Sequence, residues 1–151
     1  MKKLYRLDKV SLIGVFLIYC FLEIITLFLG DKKLAGAPAA AMKFKFLIFA
    51  VEAILIFVVL YGIFYLLLKN TPADKKALFV NVVLGLAVTS ILSSIIFAFI
   101  TKDTNIWQKV VTGIVGSGLM IWLNWKNLKI DQANKIKITI WNVIWLVLSI
   151  V

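Results

Sequence analysis

The chain has 151 residues, 63% of them hydrophobic, with a mean hydropathy of +1.04 and a formal net charge of +10. A soluble domain of this length cannot hide so much apolar surface, and its lysines fall between the apolar stretches rather than on a domain face, which excludes a nucleic-acid-binding module. With no histidine and one cysteine, Cys20, the chain lacks the commonest general base, the commonest metal ligand and any internal disulfide, so neither an enzyme nor a cofactor or metal site is expected.

The first apolar stretch covers about residues 10–29. Its basic start (Lys2, Lys3 and Arg6) and the small residues Ala35, Gly36 and Ala37 imitate a secretory signal. An apolar run of about 20 residues exceeds the usual ~7–15 and contains Glu23, so a retained span is expected. A small-residue connector interrupted by Pro38 leads to the second stretch, 46–68, which contains Glu52. Residues 69–76 hold Asn70, Thr71, Pro72 and Asp74: a stop, a turn, and an acid placed for the start of the next helix. The third stretch, 77–100, is joined to the fourth, 106–125, by what reads as a tight turn over 101–105, making the two antiparallel neighbours. Each of these stretches is long enough for roughly 30–36 Å of helix, the thickness of the hydrocarbon core. They are continuously apolar rather than alternating, which argues helix and not barrel strand.

The last stretch, 138–151, has fourteen residues and covers only about 21 Å as a helix. From Ile140 onward only Asn142 and Ser149 are polar, too little for an interfacial helix. The expectation is a short fifth span with Lys135 and Lys137 reaching back to the headgroups; a half-inserted or re-entrant helix is the alternative. Residues 1–151 thus read as a single membrane-embedded domain, an all-α polytopic membrane helix bundle of four transmembrane helices plus a short fifth. Eleven basic residues fall on the N-terminal side against six on the other, which predicts a cytoplasmic N-terminus in the plasma membrane. Trp107 and the pair Trp122 and Trp125 mark the two ends of the fourth span, as an aromatic belt does.

Glu23 and Glu52 are the candidates for function, because a carboxylate at hydrocarbon depth is costly. Counted from the predicted span ends, both lie about 9–10 Å below the outer boundary. Ser93 and Ser94 on the third span and Thr112 on the fourth fall at the same level. Tyr19, Glu23 and Thr26 share one helix face, as do Asn81, Gly85, Thr89 and Ser93. Gly113, Ser117, Met120 and Asn124 share another, and Gly85/Thr89 and Gly113/Ser117 are the expected small-residue packing pairs. The glycines around Gly113 imitate a phosphate loop but lie within a span and lack its lysine.

These residues suggest a polar cavity lined by Glu23, Glu52, Ser90, Ser93, Ser94 and Thr112, with Tyr19 and Thr26 beside it. Two carboxylates held close cannot both ionise cheaply and could share one proton. Such a site would bind a cation, a proton or a cationic substrate, as in a small transporter or channel-like protein. The competing reading is that Lys32, Lys33, Lys43, Lys45, Lys102 and Lys109 neutralise the glutamates and the serines and threonines only satisfy helix carbonyls. The chain would then be a non-catalytic accessory, assembly or immunity subunit docked on a larger partner. An intramembrane enzyme would have to use the two glutamates as its acid/base pair. The expected partners are the lipid bilayer and either further copies of the chain or a larger membrane protein, with no nucleic acid.

Overall fold

The computed structural model describes residues 8–31, 38–100 and 106–150, and these form five helices: α1 (Lys9–Gly30), α2 (Ala39–Leu67), α3 (Lys75–Phe99), α4 (Ile106–Asn127) and α5 (Gln132–Ile150). No strand occurs among the described residues. All five helices are long and apolar enough to cross a membrane. The fold is an all-α polytopic membrane bundle. The basic start 1–7, the small residues 35–37 and the turn 101–105 lie outside the described residues.

Two helix starts differ from the sequence expectation. Helix α2 begins at Ala39 rather than at residue 46, directly after Pro38. Proline is pre-set for a helix start, and the Ala-Ala-Ala-Met segment after it is strongly helix-forming. At 29 residues, α2 is about 44 Å long and overhangs a ~30 Å hydrocarbon core. Helix α5 begins at Gln132 rather than at residue 138, giving 19 residues, about 28 Å, so it is long enough for a full span rather than a short one. Its added turns are polar, with Asp131 Oδ1 accepting from Asn134 Nδ2 at their start. A hydropathy reading stops where the lysines begin, but helical geometry does not.

Caps define the other ends. Asp8 accepts from Ser11 N (2.9 Å) to cap α1, and that hydrogen bond holds its carboxyl below the usual carboxylate range. Asp74 caps α3 by accepting from Lys76 N (2.9 Å) and Ala77 N (3.2 Å). Lys75 Nζ donates to the Leu68 carbonyl (2.6 Å), supplying a cation to the end of α2. At the opposite end of the bundle Lys45 pairs with Asp31 (2.9 Å), tying the start of α2 to the end of α1.

Successive helices run up and down. Helix α3 lies at the centre, against α1, α2 and α4, while α5 packs on α4 and α2. We call the end holding Lys9, Leu67 and Lys75 proximal and the end holding Gly30, Phe99 and Ile106 distal. The proximal half is solid. Phe57 sits among Phe16 (ring centroids 4.7 Å apart), Phe79 (5.1 Å) and Tyr61 (5.4 Å, stacked). Leu60, Phe64, Leu68, Leu78, Val82, Leu128 and Ile138 complete this core. Lys126 lies over the Trp122 ring and Lys135 over the Trp125 ring, a cation–aromatic border at the same end.

Helices α3 and α4 meet through small residues. A Cβ added to Gly116 would stand 1.8 Å from Thr89 Oγ1 and 2.8 Å from the Gly85 carbonyl oxygen. The backbones therefore approach at Gly85, Thr89 and Gly116. Gly113 faces α5, where an added Cβ would lie 2.5 Å from Leu146 Cδ1. One turn toward the proximal end, Asn81 Nδ2 donates to Asn124 Oδ1 (2.9 Å), a buried amide pair between α3 and α4.

Candidate functional site

The distal half holds a cavity of about 480 Å³, reaching the surface, to which every helix contributes. Tyr19, Glu23 and Thr26 come from α1, Glu52 from α2, Thr89 and Ser93 from α3, Lys109, Thr112, Gly113, Gly116 and Ser117 from α4, and Trp145 and Ser149 from α5. Met120 and the Tyr19 ring, which also packs in the proximal core, lie on its inner side. Leu27, Ile56, Leu86 and Phe97 supply apolar wall. This volume is in the range of small-molecule sites, and so is the lining, mostly apolar with a few convergent polar groups.

Glu23 is half-buried and Glu52 exposed, and both carboxylates wall the cavity. Ser90 lies behind Glu23: its hydroxyl is hydrogen-bonded to Glu23 Oε2 and is 3.0 Å from the Leu86 carbonyl. One hydroxyl proton serves only one acceptor at a time. When Glu23 is ionised, Ser90 donates to it. When Glu23 carries a proton, it can donate to Ser90 Oγ, and Ser90 then donates to Leu86. The pair can follow the protonation of Glu23 without leaving a group unpaired.

Of the other predicted polar groups, Tyr19, Thr26 and Thr112 line the cavity with their hydroxyls engaged by helix carbonyls, while Ser94 does not line it. Thr26 Oγ1 lies 2.9 Å from the Leu22 carbonyl, 2.9 Å from the Ser90 carbonyl and 2.7 Å from Ser94 Oγ. It brackets α1 to α3, and Ser94 stands behind it rather than in the cavity wall. Tyr19, 1% exposed, donates to the Ala53 carbonyl (3.1 Å) and braces α1 against α2. Thr112 Oγ1 donates to the Gln108 carbonyl in its own helix (2.9 Å). Ser93 and Ser117 reach the cavity.

Lysine neutralisation makes a geometric demand. Among the described residues, neither glutamate is within ion-pair distance of a lysine. Lys45 pairs with Asp31 instead, Lys109 enters the cavity wall with no ion-pair partner among the described residues, and Lys32, Lys33 and Lys102 lie outside them. No group of three metal-binding side chains occurs among the described residues.

Several lining residues were not singled out from the sequence. Trp145 and Ser149 line the cavity from α5 and recur at helical spacing with the buried Ile138 and Asn142, and the signal for that inward face was present but sparse. Asn142 is fully buried, and neither of its amide atoms has a hydrogen-bond partner; the same holds for Gln108 at 8% exposure. Gly116, the closest point between α3 and α4, differs from its neighbouring glycines only in which way it faces. No family model, curated protein or solved structure matches this chain.

Proposed function

We propose that the protein is a small multi-pass transporter that binds a cation, a proton or a cationic solute in the distal cavity, with Glu23 and Glu52 as the binding groups. The observation that carries this reading is a cavity of about 480 Å³ walled by both carboxylates and closed toward the proximal end by the aromatic core. A site open on one side and packed on the other is one end state of an alternating carrier. The Glu23–Ser90–Leu86 arrangement supports coupling to a proton, because both protonation states are satisfied there. The unpartnered amides of Gln108 and Asn142 are polar surface without a present use, as expected if a second packing of the helices gives them partners.

The basic-residue asymmetry supports a cytoplasmic proximal end, so the cavity would lie in the outer half of the plasma membrane. Among the described residues, all five helices of one chain contribute to the cavity wall. Oligomerisation would then serve stability or regulation rather than complete the site. The accessory-subunit reading is less well supported, since it expects solid packing with the glutamates capped by lysines.

Proteoliposomes test the proposal. Uptake of protons, sodium, potassium and ethanolamine is measured for the native chain, Glu23→Gln and Glu52→Gln. Native vesicles should exceed empty ones for at least one of these, and each substitution should cut that flux tenfold or more. Native-level flux in both variants, or native vesicles no better than empty ones, rejects the proposal.

A further inference from the structure

We infer that the cavity takes a zwitterion, an ammonium group joined to an acidic group, presented on a molecule that reaches it sideways between α2 and α5. This inference rests on the carboxylate site proposed above and names its substrate class.

The first observation is the division of charge around one cavity. Glu23 and Glu52 stand on the α1 and α2 walls, while Lys109 stands on the α4 wall. Lys109 is one turn into α4, whose N-terminal end adds a positive dipole of its own. Opposite charges lining one cavity gain from meeting, yet among the described residues these do not pair, and Lys109 makes no cation–aromatic contact there either. A ligand carrying only an ammonium would leave Lys109 unanswered, and one carrying only an acid would face two carboxylates. A ligand bearing both groups answers all three. Trp145 adds an aromatic face on the α5 wall, a surface that ammonium groups favour.

The second observation is where the cavity wall thins. Helix α5 has buried residues only at Ile138 and Asn142, and none toward its distal end. Beyond them, cavity-lining Ser149 is exposed, and so is Glu52 on the neighbouring α2. Glu52 lies near the midpoint of a helix that overhangs the bilayer at about 44 Å, so its exposure is at hydrocarbon depth. A carboxylate there needs a water-filled or ligand-filled space rather than lipid tails. Exposed, cavity-lining Glu52 on α2 and Ser149 on α5 put that space, and the way in from the lipid, between these two helices. Ammonium–phosphodiester headgroups offer this chemistry from the membrane, and glycerophosphoethanolamine offers it from water.

The test uses the full chain in non-ionic detergent and in nanodiscs. Calorimetric titration compares glycerophosphoethanolamine with ethanolamine and with glycerol 3-phosphate. The zwitterion should bind at least tenfold tighter than either part, and in Lys109→Gln its advantage over ethanolamine should fall to within twofold. A thermal melt confirms that this exposed substitution leaves the bundle folded. For the membrane source, phosphatidylethanolamine is added to phosphatidylglycerol nanodiscs and retained lipid is counted by native mass spectrometry. Retention of about one molecule per chain, lost in Lys109→Gln, identifies the lipid as the source; binding of the soluble zwitterion without retention identifies the aqueous one and overturns the sideways route. Equal affinity for ethanolamine and the zwitterion overturns the inference and leaves the carboxylate site standing. Native ethanolamine affinity in both Glu23→Gln and Glu52→Gln overturns the underlying site instead. Absence of binding by both the soluble zwitterion and the lipid also overturns the inference.

Discussion

The two halves of this bundle solve the same problem in opposite ways. In the proximal half, α1, α2 and α3 interlock through Phe16, Phe57, Tyr61 and Phe79, with Phe64 and Leu60 filling the remaining space. In the distal half the same helices turn Glu23, Glu52 and Ser93 toward an unfilled volume. Lipid tails are as apolar as leucine, so helix association in a bilayer draws on shape fit and hydrogen bonds rather than on escape from water. The proximal half obtains its cohesion from fit. The distal half gives up fit and is held instead by a bracket of hydroxyls around Thr26, Ser90 and Ser94 and by the Lys45–Asp31 pair. Tyr19 stands at the border: its ring packs with the aromatics and it also lines the cavity.

The strongest way to break the contrast is at the seam where α3 meets α4. Gly116→Val places a Cβ where Thr89 Oγ1 and the Gly85 carbonyl already stand, at 1.8 and 2.8 Å. Backbone cannot rotate away as a side chain can, so the cost should reach about 3 kcal/mol or more, the upper end for overpacking. Reversible unfolding in mixed micelles measures it. Gly116→Ala should also be destabilised, and adding Thr89→Ala should recover part of that loss by removing the hydroxyl. Native stability in Gly116→Ala would refute the close approach.

Phe57→Ala probes the sealed half alone. In a water-soluble core such a truncation costs about 3–5 kcal/mol. Here the transfer from water is absent and mainly lost contacts remain, so about 2 kcal/mol is expected. The same variant should raise passive proton leak in proteoliposomes, because Phe57 stands between the cavity and the proximal end. Unchanged stability together with unchanged leak would show that this cluster is neither the brace nor the barrier.

The sealed half was largely legible in the sequence and the open half only in part. Continuous apolar runs announce membrane helices, and their number and order follow from the polar connectors. Glu23 and Glu52 stood out because carboxylates are rare at that depth, and the structure places both on one cavity. Helix starts at Ala39 and Gln132 were not legible from hydropathy, since a helix continues into the headgroup region where apolarity stops. The roles of Ser90 and Ser94 needed the α1–α3 register: the sequence places hydroxyls on α3, but only their rotation about the axis puts them behind Glu23 and Thr26. The inward face shared by Asn142 and Trp145 was hidden because α5 has too few polar residues to draw it.

The smallest expected effect concerns that bracket. Thr26→Val keeps the shape and removes the hydroxyl that lies between the Ser90 carbonyl and Ser94 Oγ. Hydrogen bonds between membrane helices are worth about 0.6 kcal/mol on average and up to about 1.7, so a loss near 1 kcal/mol is expected. A double-mutant cycle with Ser94→Ala isolates the shared part, which should be about 0.5 kcal/mol or more. Both carbonyls near Thr26 keep their own helix donors, which is why the loss stays small. Ethanolamine affinity should fall less than in Glu23→Gln, because the Thr26 hydroxyl is already engaged by α1 and α3 although it borders the cavity. A cycle with zero coupling, or an affinity loss matching that of Glu23→Gln, would move Thr26 from the frame of the distal half into its binding surface.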